Sequence, residues 1–85
     1  MTAPRAPDAE LDTTGLLCPL PVLKARKRLA RLDAGAVLSV RADDPAARVD
    51  FPHFCAEQGH TLVSVTDGPD GVMTFRIRKG PARAG

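Results

Sequence analysis

The chain has 85 residues, room for one domain that buries about 60% of its unfolded surface, so an elaborate active-site cleft is excluded. Hydrophobic residues make up 44% and charged residues 26%, ordinary for a folded domain in water, but with no Trp, no Tyr and three Phe the core has to be mostly aliphatic. The net charge of +2 hides one acid-free basic cluster (Lys24, Arg26, Lys27, Arg28, Arg31) and a second at Arg76, Arg78, Lys79 and Arg83, a local patch that favours an acidic docking partner or a nucleic acid.

Residues 1–8 are rich in Pro and Ala and read as a flexible N-terminal tail; residues 81–85 read the same way, which leaves a single domain at 9–80. Residues 1–11 lack the apolar run of a secretory signal, and two cysteines do not make a disulfide framework. With no stretch near the roughly 18 consecutive apolar residues of a membrane span, the expected setting is the cytoplasm, with reduced thiols and no membrane partner.

A short strand centred on Leu11 is expected at 9–13, followed by a loop at 15–21. Over 21–32 the apolar residues Val22, Ala25, Leu29 and Leu32 recur at helical spacing, with Lys24, Lys27, Arg28 and Arg31 opposite, and Asp33-Ala34-Gly35 stops the helix. Residues 37–42 alternate as a strand with Leu38 and Val40 on one face, and Asp43-Asp44-Pro45 turns the chain. Asp50 then reads as the cap of a second helix, with Pro52 in its first turn, Phe51, Phe54 and Cys55 on one side, and Gly59 as its stop. Strands at 62–66 and 72–78 complete the chain across a hairpin-length connection, the last with Met73, Phe75 and Ile77 alternating with Thr74, Arg76 and Arg78. The order βαβαββ predicts an α/β (α+β) two-layer sandwich, a four-stranded mixed sheet with two helices on its apolar face.

The chemistry points to Cys18. Gly15-Leu16-Leu17-Cys18-Pro19-Leu20-Pro21 places a thiol at the start of the first helix, since Pro suits the first helical turn. There the helix dipole and the following cations favour the thiolate, the form that attacks a sulfur donor, while Pro19 and Pro21 each remove an N–H that would have bonded the sulfur. A moderately depressed thiol pKa is therefore expected. Free Cys is more often a small buried hydrophobe, but a loop position ahead of two prolines argues against that here.

With Cys18-Pro19-Leu20-Pro21 in view, the chain resembles the TusA/SirA family of sulfur-carrier proteins. The likeness runs through Leu11-Asp12, Gly15-Leu16, Pro21-Val22, Lys27, Leu32, Gly35, Asp43-Asp44-Pro45, Asp50, Pro52, Phe54-Cys55, Gly59-His60 and Ile77-Arg78-Lys79. It implies a βαβαββ fold and a sulfurtransferase in the carrier sense, whose reactive cysteine, here Cys18, takes sulfane sulfur as a persulfide. The donor is a cysteine desulfurase or another sulfurtransferase, and the acceptor is a downstream relay protein. Asp50, Pro52 and Phe54-Cys55 look closest to the TusA branch, which relays sulfur toward 2-thiouridine in tRNA.

Cys55 shares a helical stripe with Phe51 and Phe54 and reads as a core thiol. Cys18, Cys55, His53 and His60 lack the paired close spacing of zinc motifs, so no metal and no cofactor is expected, and His60 reads as a helix C-terminal cap. Lys24, Lys27, Arg28 and Arg31 are candidate partner-docking residues, and Asp43, Asp44 and Asp50 read as turn and cap residues. The alternative to a carrier is a small basic RNA-binding or regulatory interaction module with an incidental cysteine. Against direct nucleic-acid binding, no strand carries the aromatic pairs that stack bases.

Overall fold

In the computed structural model, which describes residues 6–81, the elements follow in chain order: β1 (Ala9–Asp12), α1 (Leu20–Leu29), β2 (Val37–Ala42), α2 (Ala47–Gln58), β3 (Thr61–Asp67) and β4 (Met73–Arg78). Residues 1–5 and 82–85, most of the two expected tails, lie outside the described residues. Asp8, placed in the first tail by composition, is tied to Val37: its N–H donates to the Val37 carbonyl at 2.9 Å, and its Oδ2 accepts from the Val37 N–H at 2.8 Å.

The sheet order is β1-β2-β4-β3, with β1 parallel to β2 and the other pairs antiparallel. The parallel pair requires a crossover, which α1 supplies. Alternation in the two central strands decides the layers. Leu38, Val40 and Ala42 pair with Ile77, Phe75 and Met73, all buried on one face. Ala25 and Leu29 of α1 and Ala47, Phe51, Phe54 and Cys55 of α2 cover that face. Phe51 stacks on Phe75 with ring centroids 4.6 Å apart, an aromatic contact at the centre of an otherwise aliphatic core. In β3 the register shifts between Leu62 and Ser64, leaving Val63 exposed.

Both helices depart from their expected bounds. The α-helical part of α1 stops at Leu29, and the chain tightens into i→i+3 turns through Leu32, whose carbonyl accepts from Lys79 Nζ at 2.6 Å. The basic residues Arg26, Lys27 and Arg28 fill the last turn, where the dipole favours cations. The helix α2 begins at Ala47, three residues before the expected cap at Asp50, and Pro52 lies inside it. Its start is built from the backbone: N–H groups of Ala47, Arg48 and Val49 donate to the carbonyls of Asp44, Pro45 and Ala46. No side chain caps it, which is why composition placed the start too late.

At the far end of α2, Gly59 adopts φ 75° and the His60 N–H closes back on the Cys55 carbonyl at 2.9 Å, as a glycine stop predicts. The His60 side chain does more than end the helix: its Nδ1 accepts from the Gly80 N–H at 3.0 Å. Gly80 packs so closely that a Cβ there would lie 1.8 Å from the Gly59 carbonyl oxygen. The end of β4 is thereby pinned to the turn between α2 and β3. Among the described residues, no helix is long and apolar enough to cross a membrane.

Candidate functional site around Cys18

The loop from β1 into α1 starts from a firm anchor. Thr13 is fully buried, and its Oγ1 donates to the Arg41 carbonyl at 2.6 Å. Asp12 Oδ1 accepts from both the N–H and the Oγ1 of Thr14, and Gly15 follows at φ 84°, a conformation that a side chain would strain. The chain then reaches Cys18 and the cis Cys18–Pro19 bond, with Pro19 at the head of α1 and Pro21 buried beneath its first turn.

Three carboxylates, two from the turn after β2 and one from the first turn of α2, grip this loop. Asp43 Oδ1 accepts the Gly15 N–H at 3.0 Å, and Asp44 Oδ2 accepts the Cys18 N–H at 2.7 Å. The exposed Cys18 Sγ donates to Asp50 Oδ2 at 2.8 Å. The local reading of Asp43, Asp44 and Asp50 as turn and cap residues is therefore incomplete. Asp44 does turn its own chain, accepting the Ala46 N–H with Oδ1 at 3.1 Å, but all three acids also build the cysteine loop.

This geometry reverses the expected activation of the thiol. The hydrogen bond to Asp50 comes first, then desolvation, then the negative charges of Asp50 and Asp44, and together they raise the Cys18 pKa above its ordinary value. The Asp44 carboxyl is held below the usual range by the N–H groups of Cys18 and Ala46. Contact carboxylates outweigh the dipole and cations acting through solvent.

Cys18 lines an open groove between α1 and α2 of about 290 Å³, whose walls include Val22, Leu23, Arg26, Asp50, Phe54 and Glu57. Leu23 in the wall is exposed, as are Leu17 and Val49, the sequence neighbours of Cys18 and Asp50. Cys55, the other free thiol, is buried at 3% exposure, and burial pushes its pKa up to about 11.

The family model for the sulfurtransferase TusA matches residues 9–79. The chain belongs to the TusA family. The sulfur carrier protein TusA of Pseudomonas syringae is 44% identical over 72 residues, which cover 85% of this chain and 84% of that protein. A protein of Neisseria meningitidis is 47% identical over 68 residues, which cover 80% of this chain and 90% of its own length. Among solved structures, a SirA-like protein from Desulfitobacterium hafniense superposes with a TM-score of 0.76 at 30% identity, covering 85% of this chain and 97% of that one. The two-layer βαβαββ architecture expected from the sequence is that of the family.

Within this TusA-family fold the expected docking residues and the thiol separate. Lys24, Lys27, Arg28 and Arg31 line a different groove, together with Leu11 of β1. The cation of α1 that shares the wall with Cys18 is Arg26. Reading the sequence for site residues missed the contacts of Asp43, Asp44 and Asp50 with the cysteine loop and the place of Arg26 in the groove. Only the spacing of Arg26 from Leu23, three residues apart on one helix flank, carried a signal for it. His53 lies 3.7 Å from Glu57 at the rim of the Cys18 groove, while His60 is engaged with Gly80. Among the described residues, no cluster of three or more His, Cys, Asp or Glu side chains is placed to hold a metal ion.

Proposed function

We propose that this chain is a cytoplasmic sulfur carrier: Cys18 accepts sulfane sulfur from a cysteine desulfurase or another sulfurtransferase and hands it, as a persulfide, to a downstream relay protein. The observation that carries the reading is the contrast between the two thiols. Cys18 is exposed at the mouth of a groove on a loop held by three carboxylates, whereas Cys55 is buried in the core. A partner's reactive sulfur can reach the first and not the second.

The transfer is balanced without an external oxidant. The Cys18 thiol loses its proton, the thiolate attacks the terminal sulfur of the donor's persulfide, and the donor's S–S bond breaks. The donor leaves as a cysteine thiolate that takes up a proton, so one thiol and one persulfide exchange places. Delivery repeats these steps with Cys18 as the donor. The chain is thus a sulfurtransferase in the carrier sense, with no resident cofactor in the step. Membership of the TusA family, together with the resemblance of Asp50, Pro52 and Phe54-Cys55 to its tRNA-thiolation branch, supports a relay that ends at 2-thiouridine in tRNA. The exposed Leu23 gives partners an apolar contact in the wall of the thiol groove, and the Lys24, Lys27, Arg28 and Arg31 groove gives an acidic surface a second hold.

Intact-mass measurement after incubation with a cysteine desulfurase and cysteine tests this. The wild-type chain should gain the mass of one sulfur atom, removable by a thiol reductant, and Cys18→Ser should fold and gain none. Equal loading of Cys18→Ser would overturn the assignment.

A further inference from the structure

Cys18 is held twice by one short segment, through its backbone N–H to Asp44 Oδ2 at 2.7 Å and through its Sγ to Asp50 Oδ2 at 2.8 Å. The second contact exists only while the sulfur carries its proton. A thiolate at that distance would face the carboxylate as a like charge. The ionisable groups around the thiol are Asp44, which accepts the Cys18 backbone N–H, and, lining the same groove, Arg26 from α1 and Asp50, His53 and Glu57 from α2. Acids outnumber cations there, although the chain as a whole is basic.

We propose that Asp50 is the positioning residue for Cys18, holding the thiol protonated and aimed in the unpartnered chain, and that the sulfur donor fitting this groove carries a cation beside its reactive sulfur to draw the Asp50 carboxylate away. The proposal rests on the carrier reading and deepens it. Two facts decide the exchange. An S–H is a weak donor, whereas a guanidinium or ammonium bound to a carboxylate makes a charge-assisted hydrogen bond, roughly twice as strong as a neutral one. The contact is also exposed, so an incoming cation reaches Asp50 without opening the core. A donor persulfide is itself readily ionised, and without that cation it meets Asp44, Asp50 and Glu57 as repulsion. Once Asp50 pairs with the donor, Cys18 releases its proton to solvent and the thiolate attacks the sulfane sulfur, with the bonds changing as described above. The raised Cys18 pKa, with the Asp50 hydrogen bond as its largest cause, agrees with this geometry.

The test needs no natural partner. Cys18 is labelled with iodoacetamide across pH and followed by peptide mass in wild type, Asp50→Asn and Asp50→Glu, with folding checked by circular dichroism. Asp50→Asn should shift the labelling curve to lower pH and raise the rate near neutrality severalfold, and Asp50→Glu should return it toward wild type. In parallel, a cationic methanethiosulfonate should modify wild-type Cys18 severalfold faster than an anionic one, and the preference should shrink in Asp50→Asn. A folded Asp50→Asn with the wild-type curve, or equal rates for the two reagents on wild type, would overturn the proposal. If Asp50→Asn does not fold, native and denatured wild type decide it: native Cys18 must titrate at higher pH than denatured Cys18, and the reverse order overturns the hold. Labelling reads the thiol alone. A chain that labels as expected but takes no sulfur from desulfurase and cysteine would retire the carrier reading while leaving the grip of Asp50 on the thiol in place.

Discussion

The backbone N–H of Cys18 donates to Asp44 Oδ2 at 2.7 Å across 26 residues of sequence. One carboxylate thus fixes the loop that carries the thiol to the turn that starts α2, where its other oxygen accepts the Ala46 N–H. These two N–H groups depress the Asp44 pKa, and Thr14 does the same for Asp12.

The first prediction is an acid-sensitive cysteine loop. A carboxyl whose folded pKa lies below its unfolded value contributes stability that is complete above the unfolded value, about 3.9, and is lost as pH falls through the folded one. The urea midpoint of wild type should therefore decline as pH drops below about 4. Asp44→Asn keeps an acceptor oxygen but cannot protonate, so its midpoint should start lower at neutral pH and fall less steeply in acid. Parallel acid limbs for the two proteins would show that Asp44 contributes nothing to this dependence.

Cys55 predicts the opposite limb. Its folded pKa is raised, so the stability it contributes is complete below the ordinary thiol value and is lost as pH rises toward about 11, because the unfolded chain ionises the thiol first. Denaturant midpoints should fall between about 9 and about 11 in wild type. The fall should be shallower in Cys55→Ala, with a remainder from Cys18, whose pKa is raised too. At neutral pH Cys55→Ala should cost on the order of 1 kcal/mol and leave sulfur loading intact. Loss of loading in a folded Cys55→Ala chain would give Cys55 a part in the chemistry.

Gly80 predicts a steric failure remote from the thiol. A Cβ at this position would lie 1.8 Å from a backbone oxygen of Gly59, which no side-chain rotation relieves. Gly80→Ala should therefore lose at least about 1–3 kcal/mol, the range for forced overpacking, and should break the bond from the Gly80 N–H to His60. Urea unfolding measures the first effect. His60→Ala removes the acceptor without the clash, though it also removes the ring contact with Phe54 at 5.6 Å, so it bounds the second effect from above.

The two central strands were legible because each alternates over a face that is buried: Leu38, Val40 and Ala42 in β2, and Met73, Phe75 and Ile77 in β4. The stop of α2 was legible from Gly59. Its start was not, since Ala46 to Val49 carry no capping side chain and Asp50 has the chemistry of a cap while serving the thiol instead. The same limit reversed the thiol's electrostatics. The charged residues that come next after Cys18 in sequence, from Lys24 to Arg31, are all cations, but the atoms touching it belong to Asp44 and Asp50, which lie 26 and 32 residues away. Local periodicity sorts residues into an inner and an outer face of a helix. It does not say which outer flank adjoins a loop that returns from elsewhere, which is why Arg26, counted with Lys24, Lys27, Arg28 and Arg31 in one basic cluster, was not assigned to the thiol's flank.

The division of those cations gives the last prediction. Lys24, Lys27, Arg28 and Arg31 line the groove with Leu11, and Arg26 lines the groove with Cys18. Reversing the charge of the four should slow association with an acidic-surfaced donor or acceptor and flatten the salt dependence of the wild-type rate, because exposed charges steer encounter and are screened within about 10 Å at 0.1 M salt. The same variant should leave the pH dependence of Cys18 labelling close to wild type, since carboxylates in contact with the sulfur set its state. Arg26→Glu should behave differently. It adds a further acid to the wall of the thiol groove and should move Cys18 labelling to higher pH while changing the association rate less than the fourfold reversal does. Stopped-flow association at several ionic strengths, combined with peptide-resolved labelling, reads both quantities on the same proteins. If the fourfold variant associates at the wild-type rate at low ionic strength, the Leu11 groove is not a docking surface. If it shifts the labelling curve as far as Arg26→Glu does, the five cations act on the thiol as a single field, and the division into two grooves has no electrostatic consequence.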